Sequence, residues 1–171
     1  MSHDILIRDA DKQDLEELVT LETLCFKTDR LSRRSFRHWI QSEHCTFTVA
    51  VGANRVVGYS LIIFFRGTTL ARLYSIAVSP EFRGRRIAEK LIEEGEQQAE
   101  DAGRLFLRLE VDTQNANAIR LYEKMGYRPF GIYHEYYEDN HDALRMQKCI
   151  RSVPPNAENR NLSPLPSPPA S

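Results

Sequence analysis

The sequence is poor in the features that mark specialised chains. Cysteine occurs three times, at Cys25, Cys45 and Cys149. The number is odd, the positions are far apart and each context is apolar. That argues against a disulfide framework and predicts reduced core thiols in a cytoplasmic protein. No two cysteines have metal-site spacing and no histidine cluster accompanies them, so no metal is expected. Long apolar runs are missing too. The first residues, MSHDILIRDADKQDL, carry charge early and read as neither a signal peptide nor a membrane-spanning segment. Neither sign of charge dominates, with 23 Lys and Arg against 24 Asp and Glu. Nothing therefore marks the whole chain as a binder of nucleic acid or of a membrane. The glycine-rich phosphate motifs G-x-x-x-x-G-K-[ST] and G-x-G-x-x-G are absent as well.

What remains is an ordinary apolar and charged composition over 171 residues, enough for one domain with a real core. The domain is expected to span residues 1–150. Beyond it, residues 151–171 hold six of the eight prolines and almost no large apolar side chains. Such a segment cannot bury enough surface to offset its ordering entropy, and reads as a disordered proline-rich tail. A proline-recognition ligand is the alternative there.

Strands are expected at Ile5–Arg8, Thr46–Val51, Val56–Arg66, Leu70–Val78, Leu105–Val111, Tyr127–Tyr136 and Ala143–Ile150, each rich in β-branched, aromatic or alternating apolar residues. Gly52-Ala53-Asn54-Arg55 reads as a hairpin turn. A first helix capped by Asp11, with Asp14 in a capping-box place, runs to about Phe26. Its apolar stripe, read as Leu15, Val19 and Phe26, carries Glu22, expected to snorkel to water. A second helix runs from Ser32 to about Ser42, with Phe36, Trp39 and Ile40 inward. Arg30, Arg33, Arg34 and Arg37 give either a solvated face or a basic rim. The tally is an α/β (α+β) fold: a mixed, mostly antiparallel central sheet with helices on both faces and one parallel crossover.

The chain is organised around YSIAVSPEFRGRRIAEKLIEEGEQQAEDA, residues 74–102. An apolar strand breaks at Ser79-Pro80. The basic turn Arg83-Gly84-Arg85-Arg86 then opens into a helix. Ala88, Leu91, Ile92, Gly95, Ala99 and Ala102 form its apolar face, and Gly103 stands at its end. First-turn N–H groups have no intrahelical acceptor and sit at the positive end of the helix dipole, so this is an anion site. Arginines add forked donors. A solvated basic turn is the plainer alternative.

Downstream, in LFLRLEVDTQNANAIRLYEKMG, Leu105, Leu107, Leu109 and Val111 share one face of a strand, and Phe106, Arg108 and Glu110 the other. Glu110 lies at the strand's C-terminal end, where ligands bind in open sheets. A helix follows, with Ala118, Leu121, Tyr122 and Met125 on one side. By spacing alone, Glu110 could be a paired strand-end carboxylate and Tyr122 a core tyrosine.

These stretches resemble the GNAT superfamily of N-acetyltransferases. Ile76-Ala77-Val78 followed by Arg83-Gly84-Arg85-Arg86-Ile87-Ala88 matches the acyl-CoA motif [R/Q]-x-x-G-x-[G/A]. Leu109-Glu110-Val111, Asn115, Ala118-Ile119, Leu121-Tyr122, Gly126-Tyr127, Tyr136-Tyr137, Asp142-Ala143 and Met146 resemble its RimI-type branch, the ribosomal-protein-alanine (protein N-terminal) acetyltransferases. The resemblance is strong from Tyr74 to Met146 and weak before Thr46. It implies acetyl-CoA as cosubstrate, Glu110 as base and Tyr122 as acid. It implies coenzyme binding by the backbone of Ile76, Ala77 and Val78 and of Gly84, Arg85, Arg86, Ile87, Ala88 and Glu89, with Arg83 and Asn115 nearby. Arg86 departs from the glycine usual at its position. Its backbone is expected to be ordinary helix, where any residue fits, so that Arg86→Gly changes acetyl-CoA affinity only modestly.

The chemistry agrees with these roles. An amine attacks a thioester only when neutral, and an α-amine with a pKa of about 8 gives up its proton more readily than a lysine at about 10.4. A carboxylate can take that proton and a tyrosine can protonate the departing thiolate. A strand-end amide near Ala77 or Val78 could face the developing oxyanion. The resemblance implies that the acceptor enters between the Phe26–Ser32 and Tyr136–Asp142 loops, where Tyr136 and Tyr137 are candidate substrate contacts. His134, Glu135, Glu138 and Asp139 either orient a cationic acceptor or are solvated. The expected acceptor is a protein or peptide α-amine. The alternatives are a small amine, such as an amino acid or polyamine, or a non-catalytic CoA-binding module. A monomer or weak dimer is expected.

Overall fold

β-branched and aromatic runs separated by short turns build one seven-stranded sheet in the computed structural model, which describes residues 4–151. The strands are β1 (Leu6–Asp9), β2 (Cys45–Gly52), β3 (Arg55–Phe64), β4 (Leu70–Val78), β5 (Phe106–Asp112), β6 (Arg128–Tyr133) and β7 (Ala143–Cys149). Four helices join them: α1 (Leu15–Cys25), α2 (Arg33–Gln41), α3 (Ile87–Asp101) and α4 (Ala116–Lys124). The spatial order is β1-β2-β3-β4-β5-β7-β6. Every neighbouring pair is antiparallel except β4 and β5, which α3 connects as a parallel crossover. The mixed, mostly antiparallel sheet expected from the sequence is the one found. The proline-rich tail lies outside the described residues.

Local chemistry sets the helix ends. Asp11 and Asp14 form a reciprocal capping box, with Asp11 Oδ1 accepting from Gln13 N at 2.9 Å and Asp14 Oδ2 from Asp11 N at 2.8 Å. A single 3-10 turn intervenes before α1 begins. Ser32 caps α2 by accepting from Ser35 N at 3.0 Å. Gly103 and Gly126, at φ 83° and 100°, close α3 and α4 in the left-handed region. The β2–β3 turn rests on Ala53 and Asn54, both at positive φ, as a tight two-residue hairpin requires.

The sheet separates two cores. Leu61 and Ile62 are adjacent on β3 yet enter different ones. On one face, Leu18 and Leu21 of α1 and Phe36 of α2 pack on Phe47, Val49 and Tyr59. On the other, Ile92, Ala99 and Tyr122 of α3 and α4 pack on Leu73, Leu107, Leu109 and Met146. The buried stripe of α1 differs from the expected one: Leu18, Leu21 and Glu22 are buried, whereas Leu15 and Val19 sit at its margin. Several apolar registers fit an 11-residue helix this rich in leucine, so spacing alone does not select among them. The cysteines are free, but Cys149, at the end of edge-proximal β7, is exposed rather than in the core. Among the described residues no helix is long and apolar enough to cross a membrane.

Candidate active site

The site begins where β4 and β5 part. Their parallel ladder runs from Leu70–Phe106 to Leu73–Leu109 and then stops. A register shift against β3 leaves Tyr74 as an extra residue in β4, and such a bulge bends its strand. Beyond it, β4 runs on to Val78 and β5 to Asp112 without pairing to each other. A cavity of about 1200 Å³ fills the opening. Ile76, Ala77, Val78, Arg83, Gly84, Ala88, Glu110, Asn115, Tyr122, Tyr136 and Tyr137 all line it, so residues from five separate segments meet in one space.

One end of the cavity is the turn before α3. Gly84 has φ 80°, and a Cβ there would meet nothing within 4 Å, so its backbone is open to a ligand. Ala88 lines the cavity, whereas the Ile87 side chain is buried beside Ala50, Val57 and Leu91 and offers only its backbone to the turn. Arg85 stacks over Phe82, its guanidinium 4.9 Å from the ring centroid. Glu89 pairs with Lys124 at 3.4 Å. Asn115 Oδ1 caps α4 by accepting from Ala118 N at 3.2 Å.

Arg86 overturns the expectation of ordinary helix. It is the N-cap of α3, at φ 60° and ψ 25°, in the left-handed region. The side chain of an L-residue crowds the backbone there, and the cost is on the order of 1 kcal/mol. Arg86→Gly is therefore expected to raise stability by up to about 1 kcal/mol, after allowance for the looser unfolded chain. Thermal melts would show a rise of a few degrees, roughly 2–4 °C, and an unchanged or lower melting temperature would contradict the assignment.

The two candidate catalytic residues enter from different layers. Glu110, its side chain 4% exposed, reaches the cavity from β5. Its Oε2 accepts from Arg72 Nε at 2.8 Å, and its Oε1 has no partner among the described residues. Tyr122 comes from α4, packed edge-on against Tyr127 at 5.9 Å. Burial pushes its phenol up to about 12, so it remains protonated at neutral pH. Its hydroxyl has no hydrogen-bond partner among the described residues.

Two residues that sequence reasoning passed over or misjudged complete the walls. The sequence marks Arg72 only as a residue of the strand Leu70–Val78. Burial works against its charge, but Glu110 and Tyr136 outweigh that and raise its pKa. The signal available was a lone cation within the apolar run LARLYSIAV. Glu22 was expected to snorkel to water and instead is 2% exposed. Its Oε1 accepts from the Tyr59 hydroxyl at 2.7 Å and its Oε2 from Leu31 N at 2.6 Å. Tyr59 also meets Ser75 Oγ at 2.6 Å. Glu22 thus ties the α1–α2 loop to β3 and, through Ser75, to the cavity wall on β4.

Burial raises the Glu22 carboxyl above its ordinary 4.5, with the bonds from Tyr59 and Leu31 opposing this only in part. A carboxyl raised in the folded state binds protons more tightly than in the unfolded chain. Its contribution to stability therefore falls as pH rises from about 4.5 through the folded value. Glu22→Gln does not titrate. The unfolding free energy of the variant minus that of wild type, from urea titrations, is expected to grow with pH across that window. A constant difference would refute it.

The loop expected to receive the acceptor meets the last hairpin. Cys25, Phe26 and residues 28–32 line the same cavity as Tyr136, Tyr137 and Asp139, and Glu138 N donates to Asp29 Oδ2 at 3.4 Å. Tyr136 stacks on Tyr133 and lies edge-on to Tyr137. At the rim, His141 Nδ1 bonds Asp112 Oδ2 at 2.7 Å, which raises the histidine pKa. With Asp139, these side chains bring possible metal-ligand atoms within 4.8 Å of one another, the one such group among the described residues. His134 is largely exposed and pairs with Asp142.

Residues 13–127 match the family model of the acetyltransferase (GNAT) family. An uncharacterized N-acetyltransferase of Methanocaldococcus jannaschii is 33% identical over 145 residues, 84% of this chain and 91% of the relative. A putative [ribosomal protein bS18]-alanine N-acetyltransferase of Bacillus subtilis is 30% identical over 146 residues, covering 84% of this chain and 95% of its own. Among solved structures, the ribosomal-protein-S18-alanine N-acetyltransferase from Escherichia coli superposes with a TM-score of 0.80 at 25% identity, over 90% of this chain and 98% of that one.

Proposed function

The chain belongs to the GNAT family of acetyltransferases, and on that premise we propose that it moves the acetyl group of acetyl-CoA onto the α-amine of a protein or peptide. The observation that carries this reading is the meeting of a buried carboxylate, Glu110, and a protonated tyrosine, Tyr122, in one cavity that also opens onto the Gly84 turn and the N-terminus of α3. The coenzyme fits the residues present. The open approach at Gly84 and the first-turn amides of α3 suit a pyrophosphate, with Arg83 beside them.

In this reading the neutral amine attacks the thioester carbonyl, the carbon–sulfur bond breaks, and the amide forms. Glu110 Oε1 takes the proton that the amine loses, directly or through water. Tyr122 gives its proton to the departing thiolate. One strand-end amide of β4, at Ala77 or Val78, serves the developing oxyanion. Tyr136, Tyr137 and the 26–32 loop hold the acceptor. The curated relatives whose names specify protein-alanine acceptors support the α-amine over a small amine.

The test is thiol release from acetyl-CoA against short peptides of varied first residue, with free amines and peptides carrying only an ε-amine in the same plate. Preference for a few α-amine peptides is the expected result. Turnover confined to free amines would replace the acceptor, and coenzyme binding without turnover would remove the catalytic reading. Tyr122→Phe is expected to lower kcat by about 100-fold or more with the acetyl-CoA KM little changed. An unaltered kcat would take the acid role from Tyr122.

A further inference from the structure

Arg72 stands in the middle of an apolar strand, and its side chain is 9% exposed. Each contact it makes is part of the site. Nε donates to Glu110 Oε2 at 2.8 Å, Nη2 donates to the Tyr136 hydroxyl, and the guanidinium lies 5.6 Å from the Tyr74 ring centroid. Nη1 has no partner among the described residues, and Arg72 lines the cavity. A guanidinium brings five N–H donors and no acceptor, and a buried donor without a partner is costly. Nη1 is not among the buried unpaired atoms, and Arg72 and Glu110 line the same cavity, so Nη1 is available to a polar atom brought beside Glu110.

What would meet them follows from the chemistry of an α-amine. In a peptide or an amino acid, the carbon that bears the amine also bears a carbonyl or carboxylate carbon. An amine at Glu110 thus brings an oxygen acceptor one carbon away. We infer that Arg72 is a specificity-determining residue, which donates from Nη1 to that oxygen and so selects α-aminoacyl acceptors over simple alkylamines and lysine ε-amines. The inference rests on the acetyl-transfer reading above. The same guanidinium disfavours a protonated amine beside it, so it also favours the neutral, reactive form.

The experiment compares an alanyl peptide amide, free alanine and isopropylamine, which replaces the carbonyl group with a methyl. kcat/KM is measured for wild type, Arg72→Gln and Arg72→Lys. The ratio of alanyl peptide to isopropylamine includes the difference in amine basicity, but that difference cancels between enzymes. The wild-type ratio is expected to exceed the Arg72→Gln ratio by about 10- to 100-fold, as for a hydrogen bond from a charged donor. The acetyl-CoA KM should be unchanged. Arg72→Lys keeps the charge without the fork, should fall between, and carries the comparison if Arg72→Gln does not fold. A larger loss on free alanine than on the peptide would identify a carboxylate as the preferred oxygen, and the reverse a peptide carbonyl. If all acceptors fall equally in both variants, Arg72 only supports Glu110 and the inference is overturned. If wild type acetylates none of the three acceptors or the peptide panel, the acetyl-transfer reading fails first and this inference falls with it.

Discussion

Glu110→Gln is expected to lower kcat by a factor of about 100 to 10,000, the span that a positioned proton acceptor contributes. The substitution is close to isosteric. Glutamine Oε1 can still accept from Arg72 Nε, so the junction of β4 and β5 keeps its hydrogen bond while losing its counter-charge. A stability loss of about 1–3 kcal/mol accompanies this, because a buried guanidinium no longer faces a carboxylate. The two effects separate by measurement: circular dichroism melts report the second, and kcat at saturating substrates on the folded variant reports the first. The rate deficit should shrink at high pH, where the acceptor amine is already neutral and the proton lost on attack is more readily taken by solvent base. A variant with near-normal kcat across pH would remove Glu110 from the chemistry.

Phe36→Ala is expected to cost about 3–5 kcal/mol. The ring is fully buried between α2 and the sheet, 5.5 Å from Tyr59 in an edge-on arrangement and 6.1 Å from Phe47. Its loss leaves a cavity under the helix whose cap, Ser32, and first turn line the acceptor side. The Gly84 turn rests on a different cluster, in which Ile87 and Leu91 pack against Ala50, Val57 and Phe82. At temperatures where the variant is folded, the acceptor KM should therefore rise while the acetyl-CoA KM holds. A urea midpoint close to wild type, or a coenzyme KM that rises with the acceptor KM, would contradict this division of the two faces.

Much of this architecture is legible in the residues because it is decided locally. Asp11, Ser32 and Asn115 cap helices through their own side chains, and glycines at 103 and 126 end helices, so these boundaries need no tertiary information. The strands followed from β-branched alternation. The shared cavity of Glu110, Tyr122 and the Gly84 turn followed from motif resemblance rather than from spacing, which left each residue with an ordinary structural alternative.

The remainder depended on partners distant in sequence. Glu22 became a buried ligand of Tyr59 and Leu31 because a strand 37 residues away supplies the hydroxyl. No helical stripe encodes that hydroxyl. Arg72 gained its role from Glu110, 38 residues on, across the one parallel ladder. Arg86 was misjudged for another reason: arginine carries no preference for positive φ, and the helix pattern that follows it suggests helical backbone. The glycine usual at its position in the family was the available signal that the turn, and not the helix, sets the conformation there.

The central claim is that the space between β4 and β5 transfers an acetyl group to an α-amine. The most direct measurement incubates the full chain with acetyl-CoA and a peptide bearing both a free N-terminus and an internal lysine, then locates the modification by fragmentation mass spectrometry. The account predicts acetylation at the N-terminal nitrogen, formed about 100- to 10,000-fold more slowly by Glu110→Gln. Acetyl found on the lysine side chain, or equal labelling of both amines by wild type and variant, would contradict it.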